Sequence, residues 1–235
     1  IIISLMLFLS LSFSVSGETI YETKSTVPVA SGVKRTTIRR FASEGFQYIN
    51  VIEADLSNRY VSAGIVLPEK GISALESPLK MAQGSNSVAL VNGDFFATSS
   101  TGGSSIGAVV KDGEILSDSG EKGMASIGIS DGKVIMDYFN ITAKVIAENG
   151  ESTEIRHINK YDPLDALCVY TGEFYKTTPG AVNNIWEVLV VDGVIEAINN
   201  NGEVIEIPEG GWVIRCLPEY NSFVPDNLKV GEEIT

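Results

Sequence analysis

The apolar positions of this chain fall mostly in short runs broken by turn residues, and their period is nearer two than 3.6. Asp-Gly occurs at 112–113, 131–132 and 192–193, and Asn-Gly at 149–150 and 201–202, each flanked by β-branched or alternating residues. Asp and Asn tolerate positive φ, and Gly has no Cβ to clash, so these pairs suit the primed turns of tight hairpins. The pattern predicts hairpins joining 107–111 to 114–116, 126–130 to 133–138, 142–148 to 151–157 and 186–191 to 194–198, with all five pairs at exposed tips. Upstream, residues 46–56 and 60–67 read as two longer strands, the second ended by Pro68. One helix is signalled, with Ser77 as cap, Pro78 in the first turn and Gly84 as terminator, and residues 164–167 offer a further turn. The class is therefore α+β: β-dominated, mostly antiparallel, with hairpins and a few short helices.

Composition narrows the function. The chain has 235 residues, 44% of them hydrophobic, enough for a real core. Seventeen basic residues face 30 acidic ones, a formal charge of −13. A nucleic-acid partner needs a basic surface to displace counterions, so none is expected. Lys34, Arg35, Arg39 and Arg40 are the one basic cluster, read as solvated charges on an exposed strand. Cys168 and Cys216 each sit in an apolar run without a C-x-x-C neighbour, which favours buried thiols over a zinc site or a disulfide. His157 is the single histidine, so neither a catalytic triad nor a histidine metal site is indicated. No cofactor is signalled, and the acidic loops leave a structural Ca²⁺ open without EF-hand spacing.

Both ends look cut. Residues 1–16, IIISLMLFLSLSFSVS, match the apolar region of a signal peptide and are short for a membrane span. The expectation is a signal-peptide remnant over 1–17, a lead segment over 18–45, and a domain from 46 to 235. The mature chain is then exported, to the cell surface or beyond, with no membrane span.

The chemistry gathers after the helix. Residues 88–91, Val-Ala-Leu-Val, are wholly apolar and predict a strand buried on both faces. Asn92-Gly93 follows, but no alternating strand returns; Asp94, Phe95, Phe96 and a Ser/Thr/Gly-rich loop come instead. A buried strand ending in polar groups backed by aromatics is a platform for a site. Gly93 lets backbone approach a ligand, and Asn92 both donates and accepts hydrogen bonds. The plainer alternative has Asp94 capping a turn, the loop as connection and the phenylalanines in the core.

The ordered series of helix, apolar run, V-N-G-D-F-F, Gly/Ser loop, G-x-x-x-K-D-G hairpin and a further D-G hairpin resembles the phosphodiester glycosidase family. Ile158-Asn159, Leu167-Cys-Val-Tyr-Thr171, Glu187-Val-Leu-Val-Val191 and Ile207-Pro-Glu-Gly-Gly-Trp-Val-Ile214 extend the likeness, which covers about residues 46–235. The resemblance implies a hydrolase cleaving a sugar-1-phosphodiester at the anomeric carbon, through an oxocarbenium-like transition state. It makes Asp94 the candidate carboxylate, with Asn92 as its catalytic companion. Gly93, Phe95, Phe96, Gly102, Gly103 and Ser104 become candidate binding residues for a carbohydrate or glycan-phosphate substrate. The family's D-G-G-G-S segment has no counterpart before Thr235. The rival class is a non-catalytic surface module that binds envelope glycans, which Trp186 and Trp212 would suit. On the family reading, residues 17–235 alone release no free sugar from a synthetic sugar-1-phosphodiester, whereas a product extended through D-G-G-G-S does. Full activity of the shorter chain would place every catalytic group within it.

Overall fold

The computed structural model describes residues 18–98, 102–119, 124–161, 166–180 and 182–235. The signal-peptide reading of residues 1–17 and half of the helical turn expected at 164–167 lie outside them. The chain divides into two compact units, meeting between Ser62 and Ala63.

The first unit is an antiparallel meander of β1 (Thr19–Ala30), β2 (Val33–Ala42) and β3 (Gly45–Ala54). Two-residue connections set its register, so Thr26 faces Thr36 and Lys34 faces Glu53. Cross-strand pairs hold that register: Thr26 and Thr36 hydroxyls at 2.9 Å, Arg40–Glu22 at 2.7 Å and Lys34–Glu53 at 3.1 Å. The basic cluster thus lies on a strand and is exposed or half-exposed. The second strand expected at 60–67 is not formed. Asp55 instead accepts both the N–H and the hydroxyl of Ser57, and successive turns through Asn58 and Val61 use the backbone groups a ladder would need.

The second unit begins with α1 (Pro78–Ser85). Ser77 accepts the N–H of Lys80 at 3.4 Å, Pro78 opens the helix, and Asn86 in the left-handed region ends it. The stop comes two residues after the expected Gly84, since Asn also tolerates that conformation. Next come four hairpins: β4 (Phe96–Thr98) with β5 (Gly103–Ser105), β6 (Val109–Lys111) with β7 (Glu114–Ser117), β8 (Ala125–Ser130) with β9 (Lys133–Tyr138), and β10 (Ala143–Ile146) with β11 (Ser152–Ile155). Then β12 (His157–Ile158), β13 (Cys168–Thr171), β14 (Trp186–Val191), β15 (Val194–Asn199) and β16 (Gly211–Cys216) form one sheet, ordered β12-β13-β16-β14-β15. Only β12 and β13 run parallel within it. A short helix, α2 (Phe223–Asn227), follows. The β-dominated, mostly antiparallel α+β class holds.

Period-two alternation splits this sheet into two cores. Ile214 and Cys216 of β16, with Val188 and Val190 of β14, face α2 through Phe223 and Val224. Val213 faces the other way, onto Cys168, Tyr170, Phe174 and Ile207. Each such aliphatic side chain contributes about 1.5–3 kcal/mol by burial. Cys168 and Cys216 sit on opposite faces, so they are free thiols, and burial pushes both up to about 12. Trp186 and Trp212 are half-buried and pack against the first core.

Asp112, Asp131 and Asp192 all have φ near +50°, and each following glycine is also positive, as primed turns require. Asn201-Gly202 departs from that reading. The chain after Gly202 does not return along β15 but crosses to Lys176–Thr178, where Ile205 and Thr178 exchange hydrogen bonds and Ile207 bonds Lys176. A Cβ on Gly202 would lie 2.3 Å from the carbonyl oxygen of Val182, at φ +74°. Residues 88–91 also depart from expectation. They join no ladder, and Val88 and Val91 are 58% and 74% exposed. An apolar run becomes a central strand only beside ladder partners, and those places are taken by β13, β16 and β14. Gly202→Ala is expected to cost about 3 kcal/mol, whereas Gly113→Ala, at positive φ in open space, costs about 1 kcal/mol. Urea midpoints of the two variants check the difference.

Candidate functional site

The site grows from a turn and a hairpin. Oδ1 of Asp94 accepts the N–H of Phe95 at 2.7 Å, and Oδ2 accepts the N–H of Gly107 at 2.6 Å. The carboxylate therefore ties the base of the β4–β5 hairpin together, helped by Ile106 N–H donating to the Phe95 carbonyl. A Cβ on Gly107 would stand 2.9 Å from Oδ2, so this glycine is what lets the carboxylate approach. The expectation that no strand returns after Asn92-Gly93 fails, because Gly103–Ser105 comes back against Phe96–Thr98. Small residues form this short strand because its side chains are nearly enclosed; Gly103 and Ser104 are buried. Asn92-Gly93 is nonetheless not a hairpin tip.

Beneath the hairpin lies a lysine that sequence reasoning did not single out. The Lys160 ammonium donates to three successive carbonyls, Ser105 at 2.7 Å, Ile106 at 3.3 Å and Gly107 at 3.2 Å. Three protons meet three acceptors, so a residue only 7% exposed is satisfied. Burial lowers its pKa from the ordinary lysine value, against the pull of Asp118 and Asp94. Asn159 sets its position. With φ +53° and no exposure, Asn159 donates to the Leu116 carbonyl and the Thr171 hydroxyl, each at 2.8 Å, and accepts the Thr171 N–H at 2.8 Å.

Asp118 completes the support. Its Oδ1 accepts the Ile158 N–H at 3.0 Å, and its Oδ2 lies 3.4 Å from Nδ1 of His157, an ion-pair distance rather than a well-formed hydrogen bond. Burial alone raises a carboxyl, but His157, the Ile158 N–H and the Lys160 charge together hold Asp118 below its ordinary value.

Asn92, Gly93, Asp94, Phe95, Phe96, Gly103 and Ser104 all line one cavity of about 610 Å³, together with Ile127 and Ile129 of β8. Phe95 and Phe96 are 80% and 53% exposed, so neither belongs to the core. The Asn92 side chain is exposed and bonds no described residue. Gly93 has open space where a Cβ would stand. Gly102 is set apart, wedged against the Ser73 carbonyl and the Tyr161 ring, and the Gly103 N–H is taken by the Ser73 carbonyl. That N–H is therefore not free for an anion, and residues 99–101 of the loop lie outside the described ones. The cavity holds a second carboxylate, Glu76, at the foot of α1. Its ion pair with Lys80 pulls its pKa down. The only sequence signal for it was its place one residue before the helix cap. Among the described residues, no group of three or more His, Cys, Asp or Glu could hold a metal ion.

By sequence, the chain matches no family profile and no curated protein. By fold, it is similar to a hypothetical protein from Synechocystis, with a TM-score of 0.77 and 14% identity, over 91% of this chain and 40% of that one. It is also similar to a "putative exported protein" from Burkholderia pseudomallei K96243, with a TM-score of 0.72 and 14% identity, over 92% of this chain and 68% of that one. The chain thus spans less than half the length of the Synechocystis protein, and at these identities the likeness is one of fold alone. No helix among the described residues is long and apolar enough to cross a membrane.

Asp118 gives a pH test. Its folded pKa is depressed, so the stability it contributes is present above the unfolded value, about 3.9, and is lost as pH falls through the folded value. Asp118→Asn is expected to lower the urea midpoint at pH 7, and the gap to wild type should narrow by pH 3. A gap independent of pH would mean the carboxylate's charge contributes nothing.

Proposed function

We propose that the cavity beside Asp94 is part of a hydrolytic site for sugar-1-phosphodiesters, in a protein that acts outside the cytoplasm. The observation that carries this reading is convergence. Seven of the eight residues marked out by V-N-G-D-F-F and the Gly/Ser segment line one cavity, although two of them, Gly103 and Ser104, lie on a separate strand. Two carboxylates share that cavity with two exposed aromatic rings.

The chemistry suits such a wall. A phosphate leaving group is a weak base and departs with little protonation, so the demand falls on stabilising positive charge at the anomeric carbon and on directing water. Asp94 is fixed by two backbone N–H groups, which suits a rigid electrostatic role better than a mobile acid–base one. Glu76, held ionised by Lys80, is the better placed of the two to orient water. Asn92 offers both donor and acceptor to a sugar hydroxyl or a phosphate oxygen. Phe95 and Phe96 present apolar faces at the mouth, where the C–H face of a sugar can stack. The leading apolar run supports export, and one fold neighbour carries an export description.

In the full-length protein, Asn92→Ala and Asp94→Asn should each lower turnover of a synthetic sugar-1-phosphodiester by about 100-fold, the usual scale for a positioned polar group. Asp94→Asn keeps an acceptor for one of the two N–H groups and turns an amide NH2 towards the other, so its thermal midpoint should fall modestly. Asp94→Ala leaves both N–H groups without their acceptor and should cost more, about 1–3 kcal/mol of stability. Unchanged turnover in Asn92→Ala and Asp94→Asn would return Asp94 to a turn-capping role. Retained glycan binding without turnover in wild type would favour a binding module.

A further inference from the structure

A second concavity lies beside the first. It measures about 440 Å³ and is walled by Tyr161, Tyr175, Thr177 and Thr178, with Lys70 at its rim. Both cavities are lined by Ala74 and Leu75, so a single ridge separates them. We propose that this concavity is a second carbohydrate subsite, which takes the alcohol half of the phosphodiester while the Asp94 cavity takes the sugar-1-phosphoryl half.

The ridge is rigid. Ile72 and Ser73 donate to the carbonyls of Glu173 and Phe174, and Ser73 accepts from Gly103 of β5. At Gly71 a Cβ would stand 2.5 Å from the Phe174 carbonyl oxygen, so backbone meets backbone there and only glycine fits. The ridge is therefore anchored on one side to the turn that floors the second concavity and on the other to the hairpin that walls the first. A ligand crossing it meets two fixed surfaces with a cation close by.

The lining chemistry is that of sugar recognition. Tyr161 and Tyr175 are half-buried and pack against the second core, so their rings are held at little entropic cost. Flat rings stack on the C–H face of a pyranose, and hydroxyls of Thr and Tyr exchange hydrogen bonds with its edge. Thr178 is 3% exposed and accepts the Ile205 N–H at 3.0 Å, which leaves its own proton to donate. Phe174 forms the floor, edge-on to Tyr170 at 4.8 Å between ring centroids. Lys70 adds positive charge at the rim, suited to a phosphodiester lying across the ridge.

The buried charges of the sheet also serve this wall. Arg215 and Glu187 face each other across β16 and β14, with Nε 3.3 Å from Oε1 and both side chains 2% exposed. An ion pair inside an apolar sheet rarely adds stability over hydrophobic residues. Here Arg215 also donates through Nη2 to the Gly180 carbonyl at 2.7 Å, and Gly180 lines the concavity. The pair pins the Thr178–Gly180 turn from below, as support for a binding surface.

This inference rests on the hydrolytic reading for the pairing of the two halves, but its test needs no turnover. Methyl α-glucopyranoside, methyl α-mannopyranoside and the methyl glycoside of N-acetylglucosamine are titrated into the full-length protein and followed by saturation-transfer NMR. At least one should bind, at millimolar strength. Tyr175→Ala and, as a milder variant, Thr177→Val should weaken that binding at least fivefold, while Asp94→Asn leaves it unchanged. Circular dichroism checks that both variants remain folded. Turnover is measured separately, on a methyl diester and a hexosyl diester of glucose 1-phosphate. Tyr175→Ala should raise KM for the hexosyl diester about tenfold and leave the methyl diester unchanged. Binding that is lost in Asp94→Asn but kept in Tyr175→Ala, or no binding of any of the three glycosides, overturns the subsite. Loss of turnover alone, with binding intact, counts against the hydrolytic reading and not against the subsite.

Discussion

The second unit is organised around one buried cation. Lys160 spends all three ammonium protons on consecutive carbonyls, which curls the chain from Ser105 to Gly107 into a fixed bend. That bend aims the Gly107 N–H at Asp94, and the Asp94 bond closes the β4–β5 hairpin over the cavity. Removing the ammonium would leave three carbonyls without their donor and loosen the Asp94 wall at the same time. Lys160 does not line the cavity, so its influence is through position. Asp118 makes the burial tolerable, because a carboxylate kept ionised nearby offsets part of the desolvation of the ammonium.

The same economy appears one residue earlier. Asn159 adopts a left-handed backbone that suits Asn better than most residues, and its amide bridges β7 and β13. The chain therefore turns sharply after β12, and Lys160 is thrown back across the hairpins instead of outward. Asp118, on the residue after β7, meets Ile158 from the opposite direction. Three polar residues from two segments thus lock β7, β12 and the β5–β6 connection together where apolar packing is thin.

Local chemistry made the hairpins legible in advance. Asp112, Asp131 and Asp192 each needed nothing beyond a following glycine and flanking β residues to define their turns. The helix was legible through Ser77 and Pro78 for the same reason. What sequence could not show was partnership. Residues 88–91 and the central strands β14 and β16 carry the same apolar signature, and only ladder partners separate them. Asn201-Gly202 has the composition of a hairpin tip, yet Gly202 is there because Val182 passes too close for a side chain. Tyr60 and its neighbours alternate well enough for a strand, but Asp55 and Asn58 capture the backbone locally.

The site was half legible for a related reason. Asn92, Asp94, Phe95 and Phe96 are adjacent in sequence, so their shared wall follows from chain continuity. Glu76 enters the cavity from 18 residues before Asp94, and Lys160 fixes its wall from 66 residues after. A lysine following Asn at the end of a short strand reads as a solvated charge; only its capture by three carbonyls marks it as structural. The Arg215–Glu187 pair is illegible in the same way, since each residue alone breaks an apolar strand pattern and only their opposition across the sheet, with Gly180 above, gives them a purpose. In this chain, then, aromatic and turn residues announce themselves by local pattern. The buried charges that fix the walls of both cavities do not, because a buried charge is explained by its partner, and the partner is set by topology.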